Sequence, residues 1–119
     1  MTFPPKQQAI MVRPRVYLGE SIAIGPGKID LLRHVAEGRS ISAAARAMGM
    51  TYKRAWLLID TLNQGFGKPV VEAISGGKGG GGAHLTPLGA SLVTRYMALE
   101  AKLNATSQAE LDALRELAD

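Results

Sequence analysis

Residues 41–60, ISAAARAMGMTYKRAWLLID, predict two helices joined by one tight turn. Ser40 or Ser42 can cap the first helix, because a hydroxyl there accepts a hydrogen bond from a free backbone N–H. The alanines of the first helix let a second helix cross close to it, and Gly49 tolerates a positive φ at the turn. Thr51 can cap the second helix. The segment therefore favours a helix-turn-helix motif.

The second helix of this motif has one apolar face and one polar face. Its apolar residues recur at i, i+3, i+4 and i+7, and they are Ala55, Leu58, Ile59 and Leu62. The opposite face carries Thr51, Tyr52, Lys53, Arg54 and Trp56. A polar and cationic face on a helix held by a small-residue partner is typical of a helix that reads the DNA major groove. A two-helix corner that binds no nucleic acid is the alternative.

The composition fits one globular domain. The chain has 119 residues, of which 46% are hydrophobic and 20% are charged, and its net charge of +4 favours a polyanionic partner. It has no cysteine, so disulfides and thiolate metal sites are excluded and a cytoplasmic location is expected. We expect neither a signal peptide nor a membrane span, which needs roughly 20 apolar residues.

The charge is distributed unevenly along the chain. Basic residues outnumber acidic ones over residues 28–78, whereas acidic residues outnumber basic ones from residue 100 onward. This distribution predicts one surface for phosphates and another for protein or solvent.

A short hairpin and a helix are predicted before the helix-turn-helix. Residues 15–18 and 22–24 are strand candidates around a turn. Pro26 suits the start of a helix, and Gly38 is expected to end it just past its last turn. The predicted buried stripe of this helix consists of Ile29, Leu32, Val35 and Ala36.

A second hairpin is predicted after the recognition helix. Gly65, Gly67 and Pro69 are expected to end that helix. Residues 70–74 are a strand candidate, a glycine-rich loop follows at 76–83, and a short return strand begins at His84. A hairpin in this place is the wing of a winged helix.

Two helices are expected at the C-terminal end of the chain. Thr86 caps the first, with Pro87 in its first position, and residues 104–106 are expected to interrupt it. Ser107 and Glu110 then form a capping-box pattern before a last helix. The apolar residues exceed what one small core needs, which favours a homodimer. The predicted dimer interface consists of Val16, Leu18, Leu92, Tyr96, Leu99 and Leu103.

Together these elements predict a mainly α fold with small β elements. It is a winged helix-turn-helix with an N-terminal β-hairpin, a two-stranded wing and a C-terminal dimerisation helix. We divide the chain into a flexible arm at 1–14, the DNA-binding domain at 15–104 and a helical extension at 105–119.

The glycine-rich loop has three interpretations. A nucleotide-phosphate cradle does not fit, because Gly79 follows Lys78 where a Walker pattern needs Ser or Thr, and a strand follows instead of a helix. A plain flexible linker is the second interpretation. We favour a wing that contacts DNA, since backbone without side chains approaches a phosphate closely and Lys78 adds charge. The predicted contacts are Gly77, Lys78, Gly79 and Gly80.

The other predicted DNA contacts lie on the two helices of the motif. Ser42 and Arg46 belong to the first helix, which crosses the DNA backbone, and Arg46 is expected to meet a phosphate. Tyr52 and Lys53 begin the recognition helix, where groove contacts concentrate. Trp56 either packs that helix on the body or stacks on DNA. The adjacent cation at position 54 either reaches a phosphate or stays solvated.

Catalysis has little support in the sequence. His34 and His84 have no carboxylate, serine or second histidine at a spacing that suggests a triad or a metal site. We therefore expect no enzyme activity, no metal and no cofactor.

Three segments resemble the N-terminal DNA-binding domain of ModE-type molybdenum-responsive transcriptional regulators. They are GRSISAAARA at 38–47, TYKRAW at 51–56, and GGKGGGGA at 76–83 with LT at 85–86. The TYKRAW run and the glycine-rich wing, in this order and spacing, are specific, and the likeness covers about residues 16–103. The chain is more distantly similar to the LysR-type winged helix.

The resemblance implies a winged-helix homodimer that binds palindromic operator DNA, commonly at molybdate-transport genes. ModE-type proteins often carry C-terminal molybdate-binding β-barrel domains. Such a sensor has no counterpart among these 119 residues, so the resemblance does not carry a molybdate effector over to them. Leu57 departs from the polar or acidic residue that is familiar there, which predicts a different operator preference. The alternative function is a protein-interaction or assembly module that uses its C-terminal helices.

Overall fold

In the computed structural model, which describes residues 11–74 and 82–118, helices and two antiparallel hairpins form one winged body. The elements are β1 (Val16–Leu18), β2 (Ile22–Ile24), α1 (Pro26–Gly38), α2 (Ile41–Ala47), α3 (Tyr52–Phe66), β3 (Val71–Ile74), β4 (Gly82–Leu85), α4 (Pro87–Thr106) and α5 (Gln108–Ala118). β1 pairs with β2, and β3 pairs with β4. The predicted winged helix-turn-helix, with its N-terminal hairpin and its wing, is confirmed.

The caps and the turn of the helix-turn-helix are set by local sequence. The Ser40 hydroxyl accepts a hydrogen bond from the Ala43 N–H at 2.9 Å, so Ser40 and not Ser42 caps α2. The Thr51 hydroxyl accepts from the Arg54 N–H at 3.1 Å and caps α3. Gly49 has φ +67° at the turn, a conformation that costs a glycine little.

The hydrophobic core is centred on α1, which is packed by α2, α3 and α4. Its buried residues include Ile29, Leu31, Leu32 and Val35, all at most 1% exposed. The prediction for Ala36 is wrong, because this residue is exposed on the surface between the wing and α4. Leu31 is buried instead, since helices pack α1 on more than one side. From α2 and α3, the core takes Ala44, Ala45, Ala55, Ile59 and Leu62.

The predicted end of α1 at Gly38 is one residue early. The helix includes Gly38, and Arg39 takes the left-handed conformation with φ +56° while its N–H donates to the Val35 carbonyl at 2.8 Å. Glycine at position 38 has a packing role, because a Cβ there would lie 2.9 Å from the Cβ of Ala43. The close approach of α2 to α1 therefore explains this glycine.

Gly65 lies inside α3, so the prediction that it breaks the helix is wrong. A Cβ at Gly65 would lie 2.9 Å from Cγ1 of Ile22, and the missing side chain makes room for the N-terminal hairpin. The helix ends at Gly67, which has φ +69°.

The N-terminal end of α4 is tied to the start of the wing. The Thr86 hydroxyl accepts from the Gly89 N–H at 3.1 Å, as predicted for the cap, and donates to the Pro69 carbonyl at 2.8 Å. The Val70 N–H donates to the Asn63 side chain at 2.7 Å, and the Val70 carbonyl accepts from the Thr86 N–H at 3.0 Å. Main-chain bonds of Val70 therefore join the end of α3 to the start of α4.

The boundary between α4 and α5 lies at Ser107 rather than at residues 104–106. The Ser107 hydroxyl donates to the Leu103 carbonyl at 2.5 Å, one turn back in α4, which differs from the predicted capping box. On α5, Leu111 is buried, whereas Leu114 and Leu117 are 62% and 84% exposed. The exposed acids of α5 are Glu110, Asp112 and Glu116. No helix in the described ranges is both long and apolar enough to cross a membrane.

The predicted arm is attached to the body at its C-terminal end. Residues 1–10 lie outside the described residues, but Val12, Arg13 and Pro14 hydrogen-bond to side chains of α4. This part of the arm is therefore bound to the fold.

Replacing Gly89 by alanine is expected to destabilise the protein by about 1–3 kcal/mol or more. The new Cβ would lie 2.1 Å from the Val70 carbonyl oxygen, so main chain must move. Gly27→Ala is the matched control, because its Cβ would meet nothing within 4 Å in α1. We expect the control to be neutral or slightly stabilising. Urea unfolding followed by circular dichroism measures both, and equal stabilities of the two variants would contradict the close contact.

Candidate nucleic-acid interface

The outward face of α3 is exposed along its first turns. Tyr52 is 53% exposed, Trp56 45% and Leu57 49%, and Lys53 is also exposed. Lys53 and Leu57 are four residues apart and lie opposite the buried stripe that contains Ala55. The side chains predicted to read a groove are therefore presented to solvent at the N-terminal half of the helix.

Trp56 keeps nearly half of its surface open. Part of the indole is covered by the protein and part faces solvent, so both roles, packing on the body and stacking on DNA, stay predictions. Thr51 caps the helix with its hydroxyl and is itself exposed, next to the exposed Arg54.

The start of α2 and the wing face the start of α3 across an open concavity. Ser42 and Tyr52 line it from the helix-turn-helix, and Ala73, Gly82 and Ala83 line it from the wing strands. Recognition helix and wing are thus presented on one surface. Arg46, in the last turn of α2, is also exposed.

The wing is fixed to the corner between α1 and α2. The Ala83 N–H donates to the Arg39 carbonyl at 2.8 Å. A Cβ at Gly82 would lie 2.9 Å from the same carbonyl oxygen, so glycine allows this approach. The wing strands pair in register from Val71 with Leu85 to Ile74 with Gly82.

The tip of the wing lies outside the described residues. It contains four predicted DNA contacts, Gly77, Lys78, Gly79 and Gly80. Their contacts with DNA stay a prediction.

The described part of this surface is cationic. The first turn of α3 contains no acidic residue, and Arg46, Lys53 and Arg54 are exposed on the two helices of the motif. A positive surface of this kind suits a phosphate backbone. Arg39 and Leu57 are not among the predicted contacts, and both are exposed. The four-residue spacing of Leu57 from Lys53 places these two side chains on one face of α3.

The two histidines lie on different elements. His84 in β4 lies opposite Glu72 in β3, with Nε2 3.6 Å from Oε1, and both side chains are about half exposed. His34 lies partly buried in α1. In residues 11–74 and 82–118, no group of three or more histidine, aspartate or glutamate side chains could hold a metal ion.

The predicted dimer residues differ in exposure. Leu18 and Leu99 are 42% and 38% exposed, and Val16, Leu92 and Leu103 are half-buried. Tyr96 is only 4% exposed and its hydroxyl donates to the Pro14 carbonyl at 2.6 Å. Most of the Tyr96 side chain is therefore covered by its own subunit, which leaves little of it for a second one.

Comparison with known proteins matches this fold to a family. The model of the lysR family of bacterial regulatory helix-turn-helix proteins matches residues 27–90, from α1 into α4. The crystal structure of VV2_1132, a LysR family transcriptional regulator, is similar with a TM-score of 0.53 and 20% identity. The match covers 70% of this chain and 27% of that chain, and it supports the fold alone.

Curated relatives share higher sequence identity over 78 to 94 residues. The molybdenum-pterin-binding protein MopB of Rhodobacter capsulatus is 46% identical over 78 residues, which are 66% of this chain and 29% of the relative. The transcriptional dual regulator ModE of Escherichia coli is 43% identical over 79 residues, covering 66% and 30%. The molybdenum transport protein ModE of Azotobacter vinelandii is 38% identical over 94 residues, covering 79% and 33%. The predicted ModE resemblance is confirmed, although the chain spans no more than about a third of these relatives.

Replacing Thr51 by alanine is expected to lower stability by about 1 kcal/mol, because the first turn of α3 loses its capping hydroxyl. Thr61→Ala is the control on the same helix, since the exposed Thr61 hydroxyl donates to the Leu57 carbonyl and caps nothing. Chemical denaturation of both variants measures the difference. A loss at Thr61 equal to that at Thr51 would argue against the cap.

Proposed function

Because the chain belongs to the lysR family of bacterial regulatory helix-turn-helix proteins, we propose that it is a DNA-binding transcriptional regulator. The observation that carries this proposal is the exposed face of α3. Lys53 projects away from the core on a helix whose first turn has no acid, and the wing is bonded to the adjacent corner. A cationic helix beside a wing matches the shape and charge of a DNA groove.

The two helices of the motif have different roles on the duplex. Thr51, Tyr52 and Lys53, at the start of α3, contact base edges in the major groove. Arg46 and Ser42, on α2, contact the backbone, as does Arg54. These roles agree with the exposure of all six side chains. Lys78 and its neighbouring glycines hold phosphates from the wing tip.

The regulator acts as a homodimer on a palindromic operator. A symmetric dimer places two α3 helices roughly 34 Å apart, which is one turn of duplex. The dimer interface consists of exposed or half-buried apolar residues of α4 and β1. They are Leu92, Leu99 and Leu103 of α4 and Val16 and Leu18 of β1.

The target genes are concerned with molybdenum. The names of these relatives describe molybdenum-pterin binding, molybdenum transport and transcriptional regulation. The similarity covers the helix-turn-helix region of these relatives, so it supports a shared operator class more than a shared effector. A regulator of this kind works in the cytoplasm.

A second candidate function has one observation in its favour. Leu114 and Leu117 of α5 are 62% and 84% exposed, next to acidic residues. Exposed leucines on an amphipathic helix suit a protein partner. In this alternative the chain is an interaction or assembly module, and its DNA binding is residual or lost.

A salt titration against random duplex DNA separates the two functions. For the regulator, the logarithm of the binding constant falls linearly with the logarithm of salt concentration, because phosphate contacts release counterions. Absence of duplex binding at low salt, together with tight self-association, would instead support the interaction module.

Lys53→Ala is expected to weaken binding to the preferred operator by about 1–3 kcal/mol if the ammonium reads a base, with a smaller effect on random duplex. Lys68→Ala is the control, because it removes an equal and exposed charge beyond the other end of α3. Fluorescence anisotropy on selected and random duplexes measures both. Equal weakening on all sequences would assign Lys53 to a phosphate, and unchanged binding would remove it from the interface.

Leu99→Asp is expected to abolish the dimer, because a charge is placed in the proposed α4 interface. Operator affinity should then fall by about 10²–10⁴-fold as the second half-site is lost. Leu117→Asp, on the exposed face of α5, should leave both properties unchanged. Analytical ultracentrifugation and operator titration test this, and dissociation by Leu117→Asp alone would transfer the interface to α5.

A further inference from the structure

Three consecutive residues form a strap along α4. We define the strap as Val12, Arg13 and Pro14, which precede β1. It forms hydrogen bonds with three residues of α4. These residues are spaced four positions apart and therefore lie on one face of the helix. These are Tyr96, Glu100 and Asn104.

The two ends of the strap are held through its main chain. The Val12 N–H donates to Oδ1 of Asn104 at 2.7 Å, and the Val12 carbonyl accepts from Nδ2 of the same amide at 2.9 Å. The Pro14 carbonyl accepts from the Tyr96 hydroxyl at 2.6 Å. The Asn104 amide thus satisfies both main-chain polar groups of one residue, as a neighbouring strand would.

The middle of the strap joins α4 to α1. The Arg13 guanidinium donates from Nη1 and Nη2 to the two oxygens of Asp30 in α1, at 3.0 and 2.7 Å, and from Nε to Glu100 in α4 at 3.1 Å. The side chains of Arg13, Asp30 and Glu100 are 22%, 15% and 11% exposed. The hydrogen bond to Asp30 raises the pKa of Arg13 above its usual value although burial opposes it, so the cation persists.

The strap holds a part of α4 that the core does not. The residues of α4 that pack in or against the hydrophobic core lie between Leu88 and Met97. Farther along, Glu100 and Asn104 are bonded to the strap, and Leu99 and Leu103 belong to the proposed dimer interface. Polar bonds to residues 12–14 therefore hold this second half of α4 beyond the core.

We propose that Arg13 and Asn104 are positioning residues for operator binding: through the strap they fix the direction of the second half of α4, and thereby the separation of the two recognition helices in the dimer. This inference rests on the proposed function, in which α4 joins the subunits. Ten residues of α4 form a lever of about 15 Å. A tilt of about 10° moves its end by about 3 Å, close to one base-pair step of duplex.

Distances within one chain test the strap without DNA. The chain has no cysteine, so Gln64→Cys on α3 and Lys102→Cys on α4, both exposed, take spin labels cleanly. Labelled protein diluted with unlabelled protein reports the distance inside one subunit. Asn104→Ala removes both bonds to Val12 without leaving an unpaired charge, whereas Thr106→Ala changes an exposed hydroxyl at the end of the same helix.

We expect a narrow distance distribution in the parent and in the Thr106→Ala control. In Asn104→Ala the distribution should broaden or shift by about 3 Å, as the lever estimate gives. Arg13→Lys keeps the cation but loses the two-pronged bond to Asp30, so its distribution should lie between the two. Identical distributions in all variants would overturn the proposal.

Operators with altered spacing test the consequence for DNA binding. The parent should prefer its best half-site spacing by about tenfold or more, because a wrong spacing requires deformation of the duplex. Asn104→Ala should lose most of this preference while keeping its affinity for a single half-site. An unchanged preference with only a lower melting temperature would reduce the strap to a stabilising role and overturn the proposal. If the parent protein binds no duplex DNA, the proposed regulator function is overturned instead. The distances between the two spin labels still decide whether the strap sets the direction of α4.

Discussion

The hydrogen bonds of the Val70 main chain are the constraint on which the arrangement of the site depends. The N–H of Val70 is bonded to Asn63 at the end of α3, and its carbonyl is bonded to Thr86 at the start of α4. Val70 is fully buried, and a buried peptide group without a partner costs about 1–3 kcal/mol. The hydrogen bonds of Val70 therefore fix the angles between the recognition helix, the wing and α4. The cationic face exists before any ligand arrives.

The strap and the Val70 junction act on the same helix at different points. The junction fixes the first turn of α4, where Gly89 lies against main chain, and the strap holds Glu100 and Asn104 farther along. Between them α4 packs on the core. In the proposed dimer, a helix held in this way transmits the position of one winged body to the other. The ion pairs and the amide bonds at its second half are directional, so they can fix an orientation as well as a contact.

Sequence patterns predicted the elements that short-range chemistry sets. Ser40, Gly49 and Thr51 each act on residues within a few positions, so the caps and the turn could be read directly. Gly38 and Gly65 could not, because their roles depend on Ala43 and on Ile22 in other elements. The strap joins residues more than 80 positions apart, which no local pattern reveals. In the site, the buried stripe of α3 implied the exposure of Lys53, but the left-handed Arg39 and its bond to the wing followed only from tertiary structure.

The acidic surface of α5 has a consequence for the speed of association. The net charge of the whole chain is +4, and the exposed cations Arg46, Lys53 and Arg54 lie on α2 and α3, whereas α5 carries three exposed carboxylates and one arginine. α5 follows the 20 residues of α4, a length of about 30 Å of helix. This separation of charge gives the molecule an electric dipole moment. The electric field of a polyanion therefore biases its orientation during rotational diffusion. A larger share of random collisions then begins with α3 facing the nucleic acid than the net charge alone would give.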